Sequence, residues 1–246
     1  MSQKPLPSII DLIRDSWNLY TTTWNDSVKL SMWFLYFGLV DFTIALIIKF
    51  SPVAGNLIDI PVSIILVILE YWIVIRLIRG MLKLEAGGKL DLSKEESARC
   101  WNLFLPNLWV GLLQTLIILG ASLLLIVPGI YFIVALSFTQ MILIDQNIRG
   151  MTAISASREL VKGRWWSTAW TVLATGFVFG LMVALATAFL MALVMIVSGV
   201  TSVSANPDPL FIGTTNLLSA IVQAAVMPLF IGLQVKIYRA LQKTQG

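Results

Sequence analysis

Histidine is absent from the 246-residue chain, and cysteine occurs once, at Cys100. The absence of histidine excludes Ser-His-Asp and Cys-His catalysis, histidine-ligated metals, haem and histidine proton relays. One cysteine can form neither an intrachain disulfide nor a thiolate metal cluster. The Gly-x-Gly-Asp and Asp-Gly…Asp patterns of membrane enzymes are missing as well. We therefore predict a non-enzymatic protein with no cofactor and no bound metal.

Charged residues are scarce, at 12% of the chain, while 58% of the residues are hydrophobic and the mean hydropathy is +0.86. A soluble domain has about 25% charged and about 45–50% apolar residues, so a soluble fold of this length could not hide this apolar surface. The composition predicts one integral membrane domain over residues 1–246. We expect an all-α, polytopic transmembrane helical bundle with amphipathic interfacial helices on the cytoplasmic side.

Residues 1–28 are predicted to form an interfacial helix and not a signal peptide, because charged residues interrupt the apolar run that a signal peptide needs. Ser8 and Asp11 have the spacing of a capping box. Apolar residues follow at helical spacing: Ile9, Ile13, Trp17 and Tyr20. Such a helix lies in the membrane interface with its aromatic residues at headgroup level.

Six apolar segments follow within residues 29–246, and a bilayer-spanning helix needs roughly 20 residues. The fourth is short, which indicates a tilted, re-entrant or partly shielded helix, and the fifth is too long for an untilted span. Pro228 is expected to kink the sixth. The predicted spans are Leu30–Ile48, Ile60–Leu77, Leu105–Ile126, Tyr131–Ile144, Trp166–Val197 and Leu210–Ile237.

The basic residues indicate an orientation. With six spans, 16 of the 17 lysines and arginines fall on one side, and Lys49 alone falls on the other. The positive-inside rule makes the basic side cytoplasmic, so both termini are predicted to be inside and the protein to lie in the inner (cell) membrane. The turns on the opposite side are short and rich in proline and glycine, at residues 51–56, 127–129 and 204–209.

The cytoplasmic loops contain two further helix signals. Ser93 with Glu96 forms a capping box for a helix running to about Phe104, and Thr152 is predicted to cap another. An amphipathic helix ending in aromatic residues thus precedes each odd-numbered span. This arrangement is typical either of a threefold repeat of one unit or simply of tryptophans at membrane boundaries.

Polar residues inside the spans are candidate functional residues, because they are costly in hydrocarbon. Asp41 lies about 12 residues, or about 18 Å, from Lys29, and Glu70 lies about 6 residues, or about 9 Å, from Arg76. We therefore place the two carboxylates at different depths and do not expect them to form a pair. Asp41 either couples a proton or cation or bonds to another span, and Glu70 is expected to reach the interface. The remaining polar candidates are amides expected to bond between helices: Gln114, Gln140 and Gln223.

Two further patterns favour specific contacts. Gly176 and Gly180 form a GxxxG pattern, which indicates close helix approach within the chain or in a dimer. A basic and aromatic group is predicted to contact anionic lipid headgroups, although its charges could instead serve the positive-inside rule alone. The group consists of Arg158, Lys162, Arg164, Trp165 and Trp166.

The segment from Leu124 to Trp166 carries a resemblance to a known family. A leucine-rich run leads into Pro-Gly-Ile-Tyr at residues 128–131, a span ends at Asp145, and Lys-Gly-Arg-Trp follows at residues 162–165. In this order of motifs the chain resembles the glycerophosphoryl diester phosphodiesterase membrane-domain family and related bacterial six-span proteins. The resemblance implies a membrane domain of its own, and it implies no activity, because the phosphodiesterase chemistry of some relatives needs histidines.

Two functional classes remain open at this point. The first is a non-enzymatic, lipid-interacting, scaffold or accessory membrane protein. The second is a permease-like subunit of a transporter, in which the loop from Asp145 to Trp166 would couple to a cytoplasmic ATPase. The expected partners are membrane lipids and either a second copy or another membrane protein, and we expect no binding to nucleic acid.

Overall fold

The computed structural model describes residues 7–198 and 208–244. It is 89% helical and contains no strand among those residues, which confirms the all-α prediction. The helices are α1 Ile9–Thr22, α2 Trp24–Phe50, α3 Pro52–Glu85, α4 Lys94–Leu124, α5 Ile126–Ala135, α6 Thr139–Gln146, α7 Met151–Val161, α8 Trp165–Ser198 and α9 Pro209–Lys243.

Six stretches of the described residues are helical, long and apolar enough to cross a membrane, as the sequence predicts. Most of their bounds are wider than predicted, and the third span begins earlier because the amphipathic helix after Ser93 continues without a break into it as α4. The fourth span, Ile126–Gln146, consists of α5 and α6, and half of the residues in its most hydrophobic stretch are buried. Pro228 lies inside α9, which continues past it.

Two of the three predicted helix starts are confirmed. The hydroxyl of Ser8 accepts a bond from the Asp11 N–H, and the hydroxyl of Ser93 accepts one from the Glu96 N–H. The prediction for Thr152 is wrong, since α7 begins at Met151 after Gly150 and has no side-chain cap. Gly150 has a φ of 63°, a conformation that favours glycine, and it turns the chain two residues before Thr152.

The described residues divide into two compact units. The first unit contains α1, the end of α3 from Ile75, α4 to α7, the start of α8 to Phe177, and the end of α9 from Leu229. Within it, α4 packs against α5, α6 and α7. Its core includes fully buried Met81, Leu136, Phe138 and Tyr238.

The second unit contains α2 and the remaining parts of α3, α8 and α9. Helices α2 and α9 approach closely at two glycines. A Cβ atom added at Gly38 would lie 2.6 Å from the Cβ of Ala220, and one at Gly213 would lie 2.5 Å from the Cβ of Ala45. The same test at Gly176 and Gly180 of α8 finds no atom within 4 Å, so the GxxxG pattern makes no close contact within the described chain.

The turn predicted at residues 204–209 lies outside the described residues except for its last two positions. There Lys49 Nζ pairs with Asp208 Oδ2 at 3.0 Å. The side-chain hydrogen bond from Lys49 lowers the pKa of the Asp208 carboxyl from its ordinary value. Lys49 and Asp208 therefore neutralise each other within the second unit.

Candidate functional site

A buried carboxylate organises one part of the first unit. Glu96 has 4% of its side chain exposed, and it bonds to Arg79 Nε and lies 2.9 Å from Lys83 Nζ. Arg99 is a more distant third partner, at 3.8 Å. Since a buried charge is costly unless it is paired, these cations allow Glu96 to remain ionised in the protein interior.

A second ion-pair cluster joins α3, α6 and α9. The two terminal nitrogens of Arg239 donate to the two oxygens of Asp145 at 2.8 and 2.9 Å, and the Tyr238 hydroxyl donates to Asp145 at 3.0 Å. Arg239 Nε also lies 3.5 Å from Glu85, which Lys236 contacts at 3.4 Å. The bidentate geometry fixes the guanidinium plane as well as its distance.

The two clusters border a cleft of about 390 Å³ in the first unit. Arginines from three separate chain segments line it: Arg79 of α3, Arg99 of α4, and Arg149 of the turn between α6 and α7. The other lining residues are Asn102, Leu103, Ile144, Asp145 and Asn147. We call this space the arginine cleft.

Local structure explains how these side chains come together. Arg99, Asn102 and Leu103 occupy positions i, i+3 and i+4 of α4, which share one face of a helix. Asn147 ends α6 with a φ of 54°, and its side-chain oxygen lies 3.4 Å from Arg149 Nε. A neighbouring cleft of about 260 Å³ shares Arg79, Ile144 and Asp145 with the arginine cleft and adds Lys83 and Arg239.

The sequence does not single out Arg79, Arg99 or Arg149 as site residues. The signal available there is their place among the basic residues of the second and fourth loops, which the positive-inside rule already explains. Their convergence depends on the packing of α4 against α6, which periodicity does not reveal.

Three of the predicted intramembrane polar residues meet in the second unit. Asp41, Glu70 and Gln223 line one cavity of about 220 Å³, together with Asn216 and Ser219 of α9. Asp41 and Glu70, which we expected to lie at different depths and not to form a pair, therefore border the same space.

The cavity extends along the helix axes. Its lining residues on α2 run from Phe34 to Asp41, which is seven residues or about 10 Å along the helix axis. A cavity that extends over two turns is lined by side chains from different depths. We call this space the polar cavity.

The other predicted polar residues, Gln114 and Gln140, are half-buried. Neither of them, nor Gln223, hydrogen-bonds to another residue in the part of the chain that the structure describes. The predicted interhelical bonds of these three amides are therefore not found there.

The predicted lipid-contacting residues lie together in the first unit, and part of the group is engaged within the protein. Arg164 donates to the backbone oxygen of Thr244 at 2.7 Å, and Trp165 stacks on Tyr131 at 5.7 Å and donates to its backbone oxygen. Arg164 and Trp165 therefore connect the start of α8 to Thr244 and to Tyr131.

The rest of the group faces outward. Arg158 is exposed with its guanidinium 5.7 Å from the centre of the Phe132 ring, and Lys162 forms an exposed pair with Glu159. Trp166 is 72% exposed, and Trp170, one turn further along α8, is 67% exposed. Two exposed cations at the end of α7 and two exposed indoles at the start of α8 therefore follow one another along the chain.

An exposed loop carboxylate beside the first cluster is also stabilised in its charged form. The Ser93 N–H donates to Asp91 Oδ1 at 2.9 Å, and this bond, with help from the Ser93 hydroxyl, lowers the pKa of the Asp91 carboxyl. Asp91 therefore adds negative charge at the start of α4, where the positive end of the helix dipole favours it.

Comparison with known proteins finds no match: no family model, no curated protein and no solved structure is significantly similar to the chain. The resemblance to the glycerophosphoryl diester phosphodiesterase membrane-domain family therefore stays a prediction.

The second cluster yields a prediction on stability. Arg239→Gln leaves Asp145 and Glu85 without their shared cation, so we expect the free energy of unfolding to fall by about 3 kcal/mol. As the matched control, Lys29→Gln removes a cation from an exposed pair with Asp26 and should cost less than about 1 kcal/mol. Unfolding in mixed micelles measures both. Equal small losses would show that the cluster does not stabilise the first unit.

Proposed function

We propose that the chain is a non-enzymatic multi-pass membrane protein that binds anionic lipids of the cytoplasmic leaflet through its first unit. One observation carries the proposal: exposed Arg158 and Lys162 at the end of α7 are followed along the chain by exposed Trp166 and Trp170 in the first two turns of α8. Tryptophan favours the headgroup region, and each basic residue near an anionic surface contributes about 1 kcal/mol.

The distribution of charge supports the orientation in this proposal. Among the described residues, every lysine and arginine except Lys29 and Lys49 belongs to the first unit. By the positive-inside rule the loops of that unit face the cytoplasm, where the inner leaflet carries negative charge. The binding partners are then membrane lipids.

The proposal predicts a charge-dependent loss of lipid. In nanodiscs containing phosphatidylglycerol, the variant Arg158→Gln/Lys162→Gln should retain fewer anionic lipids and unfold at a lower temperature, because two exposed cations are gone. In nanodiscs of phosphatidylcholine alone the same variant should match the wild type. Native mass spectrometry and thermal unfolding measure the two effects.

The matched control is Lys89→Gln/Lys94→Gln, which removes two exposed cations elsewhere in the first unit. It should retain anionic lipid as the wild type does. An equal loss of anionic lipid in both variants would show that only net charge matters. An equal loss of stability in both nanodisc types would indicate a protein partner. Either result would contradict the proposal.

A permease-like function is the second candidate, and the polar cavity favours it. Two carboxylates, two amides and a hydroxyl line this space on membrane-spanning helices. Ionisable residues at such positions commonly belong to ion or proton pathways. Under this candidate the carboxylate of Asp41 carries a proton or a monovalent cation.

A permease-like function predicts that protons or sodium ions cross the membrane through the protein. Proteoliposomes of the wild type should dissipate an imposed proton or sodium gradient, and Asp41→Asn should reduce the rate to that of empty vesicles while the protein still inserts. The control Asp26→Asn, at a position near the start of the same helix whose side chain is 40% exposed, should leave the rate unchanged. A wild-type rate equal to that of empty vesicles would refute the candidate.

A further inference from the structure

The arginine cleft has the composition of a phosphate site. Arg79, Arg99 and Arg149 converge on it with the side-chain amides of Asn102 and Asn147. Planar guanidinium groups match the oxygen atoms of a phosphate in bidentate geometry, and amide N–H groups add donors. We propose that this cleft binds the phosphate group of a small ligand.

The carboxylates near the cleft do not cancel its positive charge. Asp145 borders the space, but Arg239 and Tyr238 already occupy both of its oxygens. Glu96 is buried and is bonded by Arg79 and Lys83. The negative charges are thus neutralised by cations on the side of the cleft formed by α3 and α9.

The remaining guanidinium groups keep their charge available. Arg149 forms no ion pair with any residue that the structure describes, and its two contacts are with the neutral amide oxygen of Asn147. Arg99 is 62% exposed and lies 3.8 Å from the nearest carboxylate oxygen. Arg79 uses Nε for Glu96, and its two terminal nitrogens have no hydrogen bond within the described residues.

The size and position of the cleft suit a small ligand. Its volume of about 390 Å³ falls within the range of about 300–1,000 Å³ of small-molecule sites. Asn102, Asn147, Arg99 and Arg149 are all exposed, so the cleft opens outward. A phosphate can reach it either as a soluble phosphate or as a phosphomonoester lipid headgroup. The site is separate from the lipid surface at Arg158 and does not depend on it.

The first arm of the test uses inorganic phosphate and the full chain in detergent. Isothermal titration should detect binding to the wild type. Arg99→Gln/Arg149→Gln should bind at least about tenfold more weakly, because two charge-assisted hydrogen-bond donors are lost. Lys89→Gln/Lys94→Gln, with the same change in net charge, should bind as the wild type does. The single variant Arg149→Gln disturbs no ion pair and repeats the test with the least effect on folding.

The second arm uses nanodiscs in which about one lipid in ten is phosphatidic acid and the rest is phosphatidylcholine. Native mass spectrometry measures the phosphatidic acid that the protein retains. Binding of a lipid headgroup predicts that Arg99→Gln/Arg149→Gln retains several-fold less phosphatidic acid than Lys89→Gln/Lys94→Gln does. If the cleft variant binds inorganic phosphate more weakly in the first arm, the ligand is a soluble phosphate. If the cleft variant differs only in the second arm, by retaining less phosphatidic acid, the ligand is the lipid headgroup. If the cleft variant matches the charge-matched control in both arms, the proposal is overturned. Arg158→Gln/Lys162→Gln should behave as the control in the phosphate titration, which separates failure of this proposal from failure of the lipid surface.

Discussion

Neutralisation of three carboxylates by cations from other helices is the interaction on which the first unit depends. Glu85, Glu96 and Asp145 are each at least four-fifths buried, and each contacts a lysine or arginine from a different helix. Ridges of similar apolar side chains specify helix register weakly. A bidentate pair such as Arg239 with Asp145 allows little freedom of distance or angle, so it fixes how α6 and α9 meet.

The same pairing produces the arginine cleft. More cations than carboxylates are brought together, because the loops of the first unit are rich in arginine and lysine, as the positive-inside rule expects of cytoplasmic loops. With Glu96 paired to Arg79 and Lys83, and Asp145 to Arg239, Arg99 and Arg149 remain with weak or no carboxylate partners. The positive charge of Arg99 and Arg149, which the positive-inside rule expects of cytoplasmic loops, is thereby available for binding an anion.

The sequence predicts the helices well, because long apolar runs and the caps at Ser8 and Ser93 are local signals. It misplaces the start of α7, since the backbone of Gly150 decides that turn and a capping threonine does not. It does not predict that Asp41 and Glu70 border one cavity, because rise along a helix gives depth but not the extent of the space between helices. It also misses the arginine cleft, because Arg79, Arg99 and Arg149 are brought together only by packing between distant segments.

We propose that the basic first unit faces the cytoplasm, where lipid headgroups and phosphates would meet it. Labelling of intact cells with a membrane-impermeant maleimide in a Cys100→Ser background tests this claim. Ser51→Cys and Ala98→Cys are suitable because both positions are exposed, whereas a side chain at Gly55 would clash with Ile48. We expect Ser51→Cys to be labelled from outside and Ala98→Cys to be labelled only after the cells are permeabilised. Labelling of Ala98→Cys in intact cells would contradict it.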